Sequence, residues 1–93
     1  MTPKIELKKL SGKVSISLED KFRKRLIEAA IKKAGSMRQL GRVMGYSAGS
    51  PNWSIKQILH GNQGIPLFRL ERLCEFMKMS FEDIEKNIKR IKR

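Results

Sequence analysis

Between residues 35 and 66 the chain is interrupted every few positions, by Gly35-Ser36, Gly45, Ser50-Pro51, Gly61 and Pro66. Glycine closes a helix at little steric cost, serine caps the start of one, and proline suits the first helical turn. Helices in this stretch must therefore be short. A chain built this way cannot form one long amphipathic rod. It must pack several short helices across one another.

The apolar spacing fills in those helices. Phe22, Leu26, Ala29, Ala30 and Ala34 recur at helical intervals, with Ser17 and Asp20 as an approximate capping box and Gly35 as the stop. Lys21, Arg23, Lys24 and Lys32 fall elsewhere on the surface of that helix, and Arg25 borders its apolar stripe. Ser36 and Gln39 form the next cap, ahead of Met37, Leu40, Val43 and Met44. A third helix over 51–60 starts at Pro51 behind Ser50, and turns Ile55, Ile58 and Leu59 inward. Pro66 opens a fourth, lined by Leu67, Leu70, Leu73, Cys74 and Met77. Ser80 and Asp83 cap a fifth, whose apolar residues are Phe81, Ile84, Ile88 and Ile91. The expected fold class is all-α, with five helices.

Residues 1–17 read differently. Val14-Ser15-Ile16-Ser17 alternates as a strand does, Ser11-Gly12 marks a turn, and Lys4, Lys8, Lys9 and Lys13 are interspersed. Two readings stand: a small β-hairpin or a loose basic arm. The organisation is then arm or hairpin over 1–17, helical domain over 18–88 and basic tail over 89–93.

The chain has 93 residues and a formal charge of +12, from 21 Lys and Arg against 9 Asp and Glu. A charge of this size attracts polyanions, because phosphate neutralisation releases condensed counterions. Nucleic acid is the leading partner. A single cysteine, Cys74, allows no intrachain disulfide, and its place on an apolar stripe marks a buried thiol. No apolar run approaches the ~20 residues of a membrane span. The expected location is cytoplasmic, at the nucleoid if the partner is DNA.

No catalytic Ser/His/Asp or Cys/His pattern, metal-ligand spacing or glycine-rich phosphate loop is present. His60 and Cys74 stand without partners in such a motif. The reading is of a binding module without catalytic, metal or cofactor residues.

The run from Ser36 to Ser47 (SMRQLGRVMGYS) resembles the first half of a repressor–Cro type helix-turn-helix. Ile55, Ile58 and Gly61 match its second half. Ile65-Pro66, Leu70, Leu73, Cys74, Met79-Ser80 and Ile84 resemble the helices that follow, so the likeness covers about residues 19 to 88. Four extra residues, Ala48 to Pro51, lengthen the turn.

The resemblance implies sequence-specific binding of duplex DNA by a transcriptional regulator, with helix 51–60 in the major groove. It places the base contacts on Asn52, Trp53, Lys56 and Gln57. Asn and Gln can bond adenine in bidentate fashion, and Lys can reach guanine N7 and O6. Phosphate contacts would come from Arg38 and Arg42 on the bracing helix, and from His60, Asn62, Gln63 and Arg69 beyond the reading helix. Ser50 would add one at a helix N-terminus.

Plainer readings stand beside these. Asn52, Lys56 and Gln57 suit a solvated helix face, and Trp53 and Tyr46 suit packing. The basic stretch over 86–93 suits a solvated helix end, a phosphate contact, or a dimer seam through Phe81, Ile84, Ile88 and Ile91. RNA is the alternative partner, either for this module or for a larger enzyme that carries it. A protein-interaction domain is a third class.

Overall fold

The computed structural model describes residues 7–46 and 49–92. Ser47, Ala48, Arg93 and the start of the arm, Lys4 included, lie outside the described residues, so the stretch expected to lengthen the turn is seen only at Gly49, Ser50 and Pro51. A short 3-10 turn at Leu7–Lys9 leads into β1 (Ser15–Leu18), α1 (Asp20–Ala34), α2 (Met37–Val43) and α3 (Pro51–Leu59). There follow β2 (Ile65–Pro66), α4 (Leu67–Met77), α5 (Phe81–Glu85) and β3 (Ile88–Lys92).

The all-α expectation is overturned. The described residues form five α-helices and a three-stranded antiparallel sheet in the order β2-β1-β3. The alternating Val14, Ile16 and Leu18 are all buried on one side of the central strand. β1 is a strand, as its alternation predicts, but it neither joins a local hairpin nor hangs as an arm. Its partners are Ile65–Pro66 and Ile88–Lys92, far along the chain. Leu7, fully buried, anchors the preceding segment, and its N–H donates to Glu85 Oε2 at 2.9 Å.

The largest correction concerns the tail. Ile88 and Ile91 do not continue α5, which stops at Glu85. They lie in β3, opposite Leu18 and Ile16. A spacing of three would put two side chains on opposite faces of a regular strand. Here the register shifts between Ser17 and Leu18, which face Arg90 and Ile88, so Lys89 is an extra, bulged residue. The bulge restores both isoleucines to the core side, where they are half-buried. Ile84 is fully buried and Phe81 packs on the core. The four residues expected to form a helical dimer seam thus share no helix, and they pack on the domain's own core, Ile84 fully and the other three in part.

Smaller differences have local causes. Ser17 sits in the sheet, so α1 starts behind Glu19 without a side-chain cap. The inner face of α1 uses Ile27 with Leu26 and Ala30, while Ala29 is exposed. Pro66 belongs to β2 and precedes the first turn of α4. Ser50 precedes α3 without a side-chain cap, whereas the caps at Ser36 and Ser80 form. Ser36 Oγ accepts from the Gln39 N–H at 3.1 Å, and Asp83 Oδ2 accepts from the Ser80 N–H at 3.4 Å. No described helix is long and apolar enough to cross a membrane.

Candidate nucleic-acid interface

Helix α2 packs more extensively on α3 than any other two described helices do on each other. Gly41, on the inner face of α2, is buried, and a Cβ there would meet Pro51 Cβ at 2.7 Å. The two helices cross this tightly because one side of the contact has no side chain. Gly45 ends α2 with φ of 93°, in the left-handed region where glycine is at ease. The Tyr46 N–H then donates to Gly41 O at 2.8 Å and turns the chain away.

The inner face of α3 is Pro51, Ile55 and Ile58, all buried. Its outer face is set by the helical repeat. Asn52, Trp53 and Lys56 are exposed, and Gln57 is half-buried at the border. Trp53 is 56% exposed, so it is not a core residue. Gln57 Oε1 accepts from Asn62 Nδ2 at 2.9 Å, which orients the amide before any partner arrives. Asn62, exposed at the surface, thus braces Gln57.

The proposed phosphate contacts separate into three groups. Arg38 and Ser50 line one groove between the starts of α2 and α3, together with Gly49 and Asn52. The Ser50 hydroxyl makes no capping bond. Arg42 and His60 are exposed, the latter at the end of α3. Arg69 is different. It is half-buried on α4, donates to Met44 O at 3.2 Å, and has its guanidinium 4.2 Å from the Tyr46 ring and 4.7 Å from the Phe68 ring. It holds α4 against the α2–α3 turn, through a hydrogen bond and two cation–π contacts. Tyr46 packs partly on the core as expected, and its hydroxyl is buried without a hydrogen-bond partner among the described residues.

Arg23 corrects the sequence reading outright. Expected on the surface, it is 8% exposed. Its Nη1 donates to Asp20 Oδ1 at 2.6 Å and to Leu18 O at 3.4 Å, and its Nε donates to Leu59 O at 3.3 Å. A buried guanidinium is tolerable only with such partners. The bond from Arg23, then the charge of Lys89 at 3.7 Å, holds the Asp20 carboxyl below its usual range. Arg72, also unforeseen, reaches Gly45 beside Arg69. The three-residue spacing of Arg69 and Arg72 on α4 was the available signal. Lys89 and Arg90 were legible as basic tail residues, but not as neighbours of Gln63, with which they line one cavity.

Comparison of the chain with protein-family models, with curated proteins and with solved structures found no match.

Proposed function

We propose that this chain binds duplex DNA sequence-selectively, as a transcriptional regulator, by placing α3 in the major groove. The observation that carries the reading is the outer face of α3. Asn52, Trp53, Lys56 and Gln57 stand together on a helix whose opposite face is locked into the core and braced by α2. An α-helix fits the ~12 Å major groove, and amide side chains can read adenine there. Arg38 and Ser50 at one end of α3, with His60 at the other, are suited to phosphates on either side of the groove. The charge of +12 supplies long-range attraction.

The exposed Trp53 adds an apolar contact, to a thymine methyl or to sugar edges. It also supports the RNA reading, since an exposed aromatic ring can stack on an unpaired base.

Binding selection from a randomised duplex library at ~150 mM salt, where non-specific attraction is weakened, tests the proposal. Enrichment of a motif is the expected result. That enrichment should relax at individual positions in Asn52→Ala and Gln57→Ala, each bidentate contact being worth about 1–3 kcal/mol of discrimination. Retention without enrichment would overturn sequence selectivity. Preferential retention of single-stranded RNA would put the RNA reading in its place.

A further inference from the structure

A cavity of about 80 Å³ lies between the end of α3 and the bulged strand β3. Gly61 and Gln63 line it from the α3 side, Lys89 and Arg90 from β3, and Arg23 and Asp20 from α1. A single water needs only ~10–15 Å³, so the space admits a tetrahedral oxyanion.

Its polar groups are unevenly satisfied. Arg23 is more than nine-tenths buried, and its Nε and Nη1 are engaged as described. Its Nη2 has no hydrogen-bond partner among the described residues. That atom faces Gly61, where a Cβ would stand 2.9 Å from it and cover it. The glycine leaves this donor uncovered. Lys89 and Arg90 are consecutive in sequence, so in a regular strand they would point to opposite faces. The bulge at Lys89 brings both to the same cavity. Three cations and one carboxylate, Asp20, therefore line the space. Asp20 is committed to Arg23 and Lys89, and the balance stays positive.

We infer that this cavity seats one backbone phosphate of the bound nucleic acid, which makes β3 a second binding element beyond the helix-turn-helix. The inference rests on the DNA-binding reading above. It extends the footprint past the C-terminal end of α3, where Asn62, between the lining residues Gly61 and Gln63, bonds Gln57 of the reading face. Such a contact fixes register and affinity and carries no base preference.

The test is the salt dependence of binding to two short duplexes, one with the enriched sequence and one scrambled. The full chain is compared with Arg90→Gln, the double variant Lys89→Gln/Arg90→Gln, Arg90→Lys, and the exposed control Lys32→Gln. The double variant should bind both duplexes more weakly by the same factor. Its log–log salt slope should be shallower by about 0.9, the loss of one phosphate contact. Arg90→Lys should keep the slope, and so should Lys32→Gln. An unchanged unfolding midpoint shows that the sheet is intact. Equal slopes for the double variant and the unmodified chain would overturn the seat while leaving the DNA reading standing. The same slope loss in Lys32→Gln would overturn it too, since the effect would then be net charge. If the unmodified chain bound neither duplex, both readings would fall together.

Discussion

Gly41 and Pro51 meet with no side chain between them. A Cβ on Gly41 would stand 2.7 Å from Pro51 Cβ and 2.9 Å from its carbonyl oxygen. Pro51 is the first residue of α3 and is held by its ring, so it cannot swing aside. Gly41→Ala should therefore destabilise the domain by about 1–3 kcal/mol, the range for overpacking, in spite of alanine's better helix propensity. Urea unfolding checks this. A gain in stability would mean that the two helices can separate freely.

Arg69 ties α4 to the turn after α2. Replacing it by alanine removes two ring contacts and the bond to Met44 O, and should cost about 1–2 kcal/mol. Tyr46→Phe should go the other way. The Tyr46 hydroxyl is buried and unpaired among the described residues, so its removal should be neutral or stabilising by up to ~1 kcal/mol. Chemical denaturation of the two variants separates the outcomes. A marked loss in Tyr46→Phe would show that the hydroxyl has a partner.

The Asp20 carboxyl titrates below its ordinary value of 3.8, first because Arg23 bonds it and then because Lys89 is near. A carboxyl with a lowered folded pKa adds stability above its unfolded pKa and loses it as pH falls through the folded value. Asp20→Asn should thus be less stable than the unmodified chain at neutral pH, and the gap should close below about pH 4. Thermal unfolding of both chains across that range reads it directly. A gap that is constant into acid would deny the ionic origin.

Cys74 lies 5% exposed on α4. Burial, followed by the charges of Asp83, Glu71 and Glu75, pushes its thiol up to about 11. The thiolate is the reactive form, so iodoacetamide at neutral pH should label Cys74 slowly in the folded chain and readily in denaturant. Mass spectrometry of timed samples distinguishes the two. Equal rates would show that α4 opens freely.

Ile88 and Ile91 cover Leu18 and Ile16 from β3. Each half-buried isoleucine cut to alanine should cost about 1–2 kcal/mol, below the full core value. A helical tail in solvent would lose almost nothing. Unfolding midpoints for the two variants check the strand.

Much of the helical framework was readable from local chemistry. Ser36, Gly35, Gly45, Pro51 and Gly61 act through the backbone conformations they allow, and those depend on near neighbours alone. The outer face of α3 was readable for the same reason. Once Ile55 and Ile58 turn inward, the helical repeat leaves Asn52, Trp53 and Lys56 outside. Cys74 followed from its place on an apolar stripe.

The sheet and the buried arginine were decided elsewhere. An Ile-x-x-Ile spacing fits a helix, and it fits a strand only when a bulge such as Lys89 intervenes. That bulge exists because β1 is there to pair with, some seventy residues earlier in the chain. Arg23 sits on the same helical face as Leu26, Ile27 and Ala30, yet its charge argued for the surface. Burying it requires the carbonyls of Leu18 and Leu59, the second 36 residues away. Composition and periodicity see only what a residue brings with it. Whether a strand finds an edge, or a buried charge finds its acceptors, depends on which distant segments the fold brings together.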